Sequence, residues 1–409
     1  MCGSYSTNLG DLASEVLLAI FKYLYKSDLL NLRLTCWRFN SIINLYWDKL
    51  LFQRRESFHV TNQRSEDIRN RSEKILHAFD KHRISINWKN GAYEENNYFL
   101  FKKYISCLYL EKDLLWLGRG CDIKAYERQG CNIDFHRPRH KLNGFKPSHI
   151  CKFVINNDHI LTGNEHDIRL YSIENEKYIF DMNLHDLDIS SVDMKSELIA
   201  VGSRNNIVYL YRNNYKSNPI FCCKEVLDDR IWSVALNSTK LAVGTAANDS
   251  LTSIVVFDVN THTSILKLDT GQYGAGILNL KWDTPQLFWS GGYDSFLRRW
   301  DLRVGQFVQS FEDPFLSVVY SFDCDFDNTC ITGCESNGRA VLWDTRKNKY
   351  IQMYYLKSCH RSSSPIYSLA FDPKHLFAVT ELHMNILDFS VLQGISQDYS
   401  DIFNFRIVI

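Results

Sequence analysis

Apolar and polar positions alternate with a helical period over the first fifty residues. Apolar side chains recur at steps of three and four in the segments 12–24, 27–37 and 39–52, which predicts three short amphipathic helices. Ser14 stands where an N-cap would begin the first helix, and Glu15 suits its first turn. Three helices of this length enclose a small core, so we expect part of their apolar surface to bind a partner.

A charged segment, residues 53–85, separates these helices from the rest of the chain. Arginine, lysine, glutamate and aspartate dominate the segment, and apolar residues recur at helical spacing in its second half. The segment is therefore interpreted as a polar helical linker that is partly packed. Because its basic residues alternate with acidic ones, it is not typical of a nucleic-acid-binding patch.

From residue 86 the pattern changes to a period of two, which predicts half-buried β-strands. One unit recurs seven times: an apolar strand, a second strand that ends in small residues, a third strand that ends in an aromatic–acidic pair, and a looser fourth strand. The acidic position of the seven copies falls at Glu127, Ser172, Arg212, Asp258, Asp301, Asp344 and Asp388. The intervals of 45, 40, 46, 43, 43 and 44 residues match the WD40 repeat, whose period is about 40–45 residues.

Seven copies predict an all-β, seven-bladed WD40 β-propeller over residues 86–390, preceded by a small all-α domain over residues 9–52. The glycines at the end of the second strands are interpreted as turn residues that supply positive φ angles. Closing the ring requires one terminus to complete the blade that holds the other. Both residues 86–101 and the C-terminal tail, residues 391–409, contain a suitable alternating strand.

Three polar residues of the repeats are predicted to be structural. His185 lies seven residues before Val192 and His360 lies six before Ile366, where WD repeats carry a structural histidine. Asp294 lies in a turn where such repeats carry an aspartate that bonds the same network. Because these positions recur with the repeat, we expect them to hold the blades together and not to catalyse.

Composition excludes several classes of function. The chain has 47 Lys+Arg and 47 Asp+Glu among 409 residues, so no net charge attracts nucleic acid or a membrane surface. No apolar run is long enough to span a membrane, and the N-terminal sequence lacks a secretory signal. Twelve scattered cysteines without a CxxC pair predict reduced, mostly buried thiols rather than disulfides or zinc, and an intracellular protein of the cytoplasm or nucleus.

No motif of catalysis occurs in the sequence. There is no phosphate-binding loop, GxSxG, HExxH or dinucleotide fingerprint, so we expect no catalytic residue, no cofactor and no metal site. Recognition by a propeller rim is the remaining function. The turns between second and third strands and the residues before first strands form one rim, whose candidate substrate-binding residues are Arg119, Arg204, Arg230, Trp232 and Tyr293.

Two rim arginines suggest the chemistry of a ligand. Arg204 and Arg230 belong to consecutive repeats, and arginine is suited to bind a carboxylate or phosphate at two points. In the alternative interpretation, Arg204 pairs with an acid of a neighbouring turn and Trp232 packs between blades. The rim also carries three glutamates, so it is not a basic patch.

Residues 12–50 resemble an F-box. The resemblance rests on Leu12, Glu15-Val16-Leu17, Ile20-Phe21, Tyr23-Leu24, Asp28-Leu29, Leu32, Cys36-Trp37-Arg38-Phe39 and Trp47. It implies that the helical core and a Skp1-binding face are formed by Leu12, Glu15, Val16, Leu17, Ile20, Phe21, Leu24, Leu29, Leu32 and Trp37. The family usually begins with Leu-Pro, whereas this chain has Leu12-Ala13, which removes a constraint on the helix entry. A helical cap of the propeller or a dimerisation hairpin is the alternative.

An F-box ahead of WD repeats resembles the F-box/WD-repeat proteins. The resemblance continues through the propeller in the segments 148–163, 228–237, 274–303, 339–347 and 363–379. It implies a substrate receptor of a cullin–RING ubiquitin ligase that has no catalytic residue of its own. Skp1 would bind the F-box, the cullin and RING protein would bind through Skp1, and the rim would hold an unidentified protein substrate. A phosphorylated motif on that substrate is one possibility; a WD-repeat scaffold and a propeller enzyme are the other interpretations of the chain.

Overall fold

Helices form the N-terminal part of the chain. The computed structural model describes residues 9–52, 60–143, 149–184, 187–347, 349–357 and 364–392. Within these ranges, a 3-10 turn at Leu9–Asp11 precedes α1 (Ser14–Phe21), α2 (Lys26–Leu32), α3 (Trp37–Phe52), α4 (Glu66–Arg71) and α5 (Ala78–Asn90). No helix in the described ranges has the length and apolar character that crossing a membrane requires.

The strands after α5 form seven antiparallel sheets, the blades. Blade 1 contains β2 (Ser106–Leu110), β3 (Leu114–Arg119), β4 (Asp122–Gln129), β5 (Asn132–Ile133) and β6 (His140–Asn143). Blade 2 contains β7 (Lys152–Asn156), β8 (His159–Gly163), β9 (Asp167–Ser172) and β10 (Lys177–Asn183). Blade 3 contains β11 (Ile189–Lys195), β12 (Leu198–Ser203), β13 (Ile207–Arg212) and β14 (Ile220–Val226).

The remaining blades repeat the same four-strand order. Blade 4 contains β15 (Ile231–Leu236), β16 (Lys240–Thr245), β17 (Thr252–Asp258) and β18 (Ser264–Asp269). Blade 5 contains β19 (Ile277–Thr284), β20 (Leu287–Gly292), β21 (Phe296–Asp301) and β22 (Gln306–Glu312). Blade 6 contains β23 (Val319–Cys324), β24 (Thr329–Cys334), β25 (Arg339–Asp344) and β26 (Tyr350–Tyr355). Blade 7 contains β27 (Ser368–Phe371), β28 (His375–Val379), β29 (His383–Asp388) and, from the other end of the propeller, β1 (Glu94–Phe99).

The N-terminal strand β1 closes the ring. It pairs antiparallel with β29, from Glu94 opposite Asp388 to Phe99 opposite His383. Of the two segments that contain a suitable strand, residues 86–101 therefore supply the closing one, while the tail from residue 393 lies outside the described residues. The seven blades form the β-propeller that the seven repeats predict.

Glycines of the second strands pack against the next blade. A Cβ on Gly202 would lie 2.7 Å from the Ile231 Cγ2, and one on Gly291 would lie 2.8 Å from the Val319 Cγ1. The φ angles of Gly202 and Gly291 are not positive. The interpretation of these glycines as positive-φ turn residues is therefore wrong: they permit the close approach of the adjacent first strand.

The Trp-Asp positions and the turn aspartate have structural partners. The Trp300 Nε1 donates to the Ser290 Oγ at 2.8 Å, inside the same blade. Asp294 pairs with Arg298, and the two side chains are 1% and 5% exposed. The predicted structural aspartate is therefore bound by an arginine of its own hairpin. His185 and His360 lie outside the described residues.

Two cysteines depart from the expected reduced thiols. Cys324 and Cys330 form a disulfide. They stand directly opposite each other on β23 and β24, with their Cα atoms 4.2 Å apart, and this proximity cannot be derived from their spacing in the sequence.

Helix α5 fastens the N-terminal helices to the propeller. Near its start, Phe79 packs against Trp47 of α3 with ring centroids 5.5 Å apart. Near its end, Trp88 stacks on Phe389, which follows β29, with centroids 3.6 Å apart. The Trp88 Nε1 also donates to the Pro373 O at 3.0 Å. Helix α5 therefore packs against the N-terminal helices at one end and against the propeller at the other.

Candidate functional site

Helices α1, α2 and α3 enclose one small apolar core. Ile43 and Trp47 of α3 are fully covered and pack against apolar residues of α1 and α2. Of the ten F-box positions, those that lie in or at the edge of this core are Leu12, Leu17, Phe21, Leu24, Leu29 and Leu32. These residues hold the three helices together, a role that the sequence pattern could not separate from partner binding.

The other four F-box positions are exposed. Val16, Ile20 and Trp37 are 45%, 36% and 83% exposed, and Glu15 is exposed beside them. Val16 and Ile20 are four residues apart on α1, so their side chains share one face. Arg38 donates to the Leu12 O at 2.6 Å, which holds the start of α3, and therefore Trp37, at the end of α1 that carries Val16.

Two further exposed side chains belong to the same helical unit. Tyr23 is 86% exposed and Leu34 is 81% exposed. Large apolar and aromatic side chains this accessible on a small domain indicate a binding surface. Tyr23 belongs to the matched motif, but the helical pattern alone could not show on which side of the unit either residue lies.

The entry to α1 differs from the predicted cap by one residue. Ala13 is the N-cap, and Ser14 is already helical. No side chain caps the helix at Ala13, whose φ is −58° and ψ is 147°. This φ lies within the range that proline imposes, so the backbone keeps a proline-compatible entry although proline is absent.

A central cavity of about 560 Å³ is lined by the first strands of all seven blades. We call the face with the turns between second and third strands the upper face, and the opposite one the lower face. The upper mouth of the cavity is bordered by Trp232, Tyr293, Tyr320 and Tyr367. Neighbouring rings in this arc have centroids 6.3, 6.5 and 5.8 Å apart. We refer to these four residues as the aromatic arc.

The first strands of blades 3 to 6 contain β-bulges at residues that line the cavity. The strand register shifts by one at Ser190, Trp232, Leu278 and Tyr320, and all four residues line the cavity. A bulge re-aims the side chain of its extra residue. Tyr320 and Tyr367 were missed in the sequence, although the aligned first strands carry a large residue at the same position in IWS, VYS and IYS.

The structure brings Arg204 next to Trp232 and also gives it an acidic partner. The Arg204 Nη1 lies 2.9 Å from the Asp188 Oδ1, and its guanidinium carbon lies 5.9 Å from the centre of the Trp232 ring. Arg230, two residues before Trp232, is exposed and forms no ion pair with any residue in the described ranges. The structure thus gives Arg204 the acidic partner that the alternative interpretation predicts.

Arg119 lies away from this group, at the seam between blades 7 and 1. Its guanidinium donates to the backbone oxygens of Leu100 and Glu381, the second at 3.3 Å. It also lies over the Tyr104 ring, 5.4 Å from the centre. Burial lowers the pKa of Arg119. These contacts tie the closing strand to the upper face and leave Arg119 little capacity for a ligand.

Carboxylates border the tyrosines of the aromatic arc. Burial raises the pKa of Tyr320 to about 12, and Tyr293 and Glu335 beside it add to the rise. Burial also raises the pKa of Tyr367, with a further contribution from Glu381. The mouth is therefore aromatic and acidic at blades 5 to 7, whereas the rim arginines of blades 3 and 4 border its other half.

Comparison with known proteins supports both parts of the chain. A family model described as F-box-like matches residues 10–53. Over 316 residues the chain is 27% identical to the F-box/WD repeat-containing protein 4 of Homo sapiens, which covers 75% of this chain and 76% of that protein. The protein of the same name from Mus musculus is 26% identical over the same shares.

A solved structure supports the fold. The crystal structure of the computationally designed Ika8 protein superposes with a TM-score of 0.55 at 16% sequence identity, covering 69% of this chain and 82% of that one. This likeness concerns the fold alone. The chain thus carries an F-box-like domain ahead of a seven-bladed β-propeller and is similar to F-box/WD repeat-containing protein 4 over 75% of its length.

Proposed function

We propose that this chain is the substrate-recognition subunit of an SCF-type (Skp1–cullin–F-box) E3 ubiquitin ligase. The F-box-like helices would bind Skp1, and Skp1 would connect the chain to the cullin and the RING protein. The observation that carries this proposal is the exposure of the apolar side chains of Val16, Ile20 and Trp37 on helices whose core is already filled. Exposed apolar side chains of this size on a packed domain indicate a protein partner.

The chain would act by placing its substrate, in the cytoplasm, the nucleus or both. Ubiquitin transfer would gain rate from the high effective concentration of substrate in the assembly, without a catalytic group from this chain. The helical unit joins the propeller through α5, whose contacts with Pro373 and Phe389 lie at the lower face. The aromatic arc opens on the upper face, so the two binding surfaces would stay apart at a distance fixed by packing.

We assign substrate binding to the upper mouth. Large exposed apolar side chains in the described loops of the upper face are Phe101, Ile105, Leu251, Tyr273, Tyr293, Phe315 and Leu316. In the described loops of the lower face, the corresponding residues are Ile75, Val304 and Leu392. Aromatic residues are enriched where proteins bind partners, and this asymmetry favours the upper face. Arg204 already pairs with Asp188, and this ion pair would compete with the binding of a phosphorylated motif of the substrate.

The Skp1 interface is tested with side chains that do not hold the fold. Ile20→Glu and Trp37→Ala change exposed residues, so we expect both variants to fold as the parent does. Each should weaken the binding of purified Skp1 by roughly tenfold or more, the effect typical of a central interface residue. Isothermal titration calorimetry measures the affinity, and Val304→Glu, which changes an apolar residue 55% exposed in blade 5, is the control.

The outcomes separate the alternatives. Unchanged Skp1 affinity in both variants would contradict the assignment of the face. No binding of Skp1 by the parent chain would contradict the ligase role and leave a WD-repeat scaffold as the better interpretation.

The substrate surface is tested independently of Skp1. In cells treated with a proteasome inhibitor, proximity labelling by the parent chain and by a Trp232→Ala/Tyr293→Ala variant is compared. We expect the variant to lose a defined set of labelled proteins while its Skp1 binding is unchanged. Phe307→Ala, which removes a ring 41% exposed on the outer strand β22, should label the same proteins as the parent. Identical labelling by the mouth variant would contradict the assignment.

A further inference from the structure

We propose that Cys131, His375 and Asp388 form a binding site for a divalent transition-metal ion, with Zn²⁺ as the best match. The Cys131 Sγ, a ring nitrogen of His375 and a carboxylate oxygen of Asp388 lie within 4.8 Å of one another. Zn²⁺ accepts thiolate, imidazole and carboxylate ligands at roughly 2.0–2.3 Å, so the ligand atoms of a tetrahedral ion lie roughly 3.3–3.8 Å apart. Movements on the order of 1 Å would bring the three atoms to that separation.

His375 is oriented for this role by a carboxylate. Its Nδ1 lies 3.0 Å from the Asp372 Oδ1, and Asp372 is held in turn by the Arg128 guanidinium at 2.7 Å. A carboxylate behind an imidazole is the arrangement that fixes the ring of a metal-binding histidine. Asp372 also accepts hydrogen bonds from the backbone N–H groups of Lys374 and His375, both at 2.8 Å, so it cannot turn away.

The second ring nitrogen of His375 is available to a ligand. His375 is 2% exposed, yet its Nε2 lies 3.6 Å from the Asp388 Oδ1, beyond the usual hydrogen-bond distance. The nitrogen points towards the Asp388 carboxylate and the Cys131 thiol, the two groups that complete the ligand set.

The charges around the cluster suit a divalent ion. Arg128 and Lys374 are the nearby basic residues, and each pairs with a carboxylate outside the cluster. Within the described residues, Asp388 forms its one ion pair with His375, at 3.6 Å. A Cys131 thiolate and the Asp388 carboxylate would together balance two positive charges, with His375 neutral. Metal binding would release the thiol proton of Cys131 and that of a protonated His375.

The site lies where the ring is closed. Cys131 belongs to blade 1, whereas His375 and Asp388 belong to blade 7, which contains the closing strand β1. Glu73 of the linker is close by, because its Oε1 and the His375 Nε2 both lie 3.7 Å from the position of a Cβ on Gly130. A bound ion would therefore connect blades 7 and 1, and water would complete its coordination.

The full chain is purified under reducing conditions, stripped with a chelator and titrated with Zn²⁺ or Co²⁺. We expect one Zn²⁺ per chain by elemental analysis, a higher melting temperature with the ion, and a thiolate-to-metal charge-transfer band with Co²⁺. Cys131→Ser should abolish the band and lose the stoichiometric ion, whereas Asp388→Asn should bind Zn²⁺ more weakly. Cys121→Ser, which changes another partly buried free cysteine of blade 1, should retain all three signals.

Two results would overturn the proposal. One is the absence of stoichiometric metal in the parent chain. The other is retention of the charge-transfer band in Cys131→Ser, which would place the thiolate ligand elsewhere. Asp388→Asn conserves the shape of its side chain and keeps the test valid if Cys131→Ser does not fold, since this variant should keep the band but bind Zn²⁺ more weakly.

Discussion

At each second-strand glycine, the neighbouring blade leaves no room for a side chain. At Gly163 a Cβ would lie 2.6 Å from the Val192 Cγ1, and at Gly333 it would lie 2.8 Å from the Ile366 Cγ2. The repeat count predicts that small residues recur at these positions. It could not reveal the reason, because the contact is made with a strand about 30 residues away along the chain.

Gly202→Ala tests this close packing. The new methyl group would lie 2.7 Å from Ile231 and 2.8 Å from Val234, both of which are buried. Neither neighbour can move freely, so we expect a loss of about 1–3 kcal/mol in the free energy of unfolding. Denaturant unfolding measures the loss. Gly271→Ala is the contrasting variant, since a Cβ there meets no atom within 4 Å and any cost arises from its φ of +76°.

The rim arginines show where residue-level prediction ends. Counting repeats places Arg204 and Arg230 on consecutive blades at one face, and the structure agrees. Whether each guanidinium is free depends on its partner: Asp188 binds Arg204, and backbone oxygens bind Arg119. Those partners are set by loop conformations that periodicity does not encode.

At the scale of elements, the linker between the helices and the propeller is anchored in the central cavity. Arg71, the last residue of α4, pairs with Asp323 of β23, and the Lys281 Nζ lies 2.6 Å from the same carboxylate. The charge pattern predicts a polar helical linker that is partly packed. The structure packs part of it against the propeller, where Asp323 inside the central cavity binds Arg71.

Asp323→Asn should loosen this anchor in a pH-dependent way. Burial raises the pKa of Asp323, but Arg71 and Lys281 outweigh burial and hold the pKa below its ordinary value. The ionised carboxylate therefore stabilises the fold above about pH 4, and this contribution disappears as the pH falls through the lowered folded-state pKa. We expect Asp323→Asn to cost about 3 kcal/mol at neutral pH, as for other broken buried pairs.

Unfolding curves across the acid range measure this difference. The gap between the parent and Asp323→Asn should stay constant above about pH 5 and shrink below about pH 4. A gap that is independent of pH would show that the loss arises from packing and not from the charge of Asp323. Asp327→Asn, which changes a more exposed lower-face carboxylate, is the matched control and should have a smaller effect.

The start of α1 offers a second test at this scale. The F-box resemblance leads us to expect Leu-Pro where the chain has Leu12-Ala13, and Ala13 already has a φ of −58°. Ala13→Pro should therefore stabilise the helical unit by about 0.4–1 kcal/mol, because proline restricts the unfolded chain without straining the folded one. The melting temperature of the F-box-like unit reports the change. A lower melting temperature would show that the conformation of Leu12 is incompatible with a following proline, or that the fold needs the N–H of residue 13.

For the molecule as a whole, the number of blades is the feature best predicted from sequence. Seven degenerate repeats with a regular interval predict seven sheets. The two literal Trp-Asp pairs are sufficient to locate the end of the third strand in every repeat. The closing strand is harder to predict, since both termini offer an alternating segment. The choice follows from α5, which places the chain beside blade 7 before β1 begins.

The two proposed binding surfaces follow from the same architecture. The F-box residues divide into core and exposed face only when three helices are packed together. The aromatic arc exists only when blades 4 to 7 are assembled around the cavity. Their residue types are visible in the sequence, but their grouping is a property of the closed ring.

The central claim is that the N-terminal helices connect the propeller to Skp1. The most direct measurement is the binding of purified Skp1 to the full chain and to a chain that lacks residues 1–52, by size-exclusion chromatography and calorimetry. We predict a one-to-one complex with the full chain and no complex with the shortened chain, whose propeller should keep its β-sheet circular dichroism. Absence of a complex with the full chain, or equal binding by the shortened chain, would contradict the account.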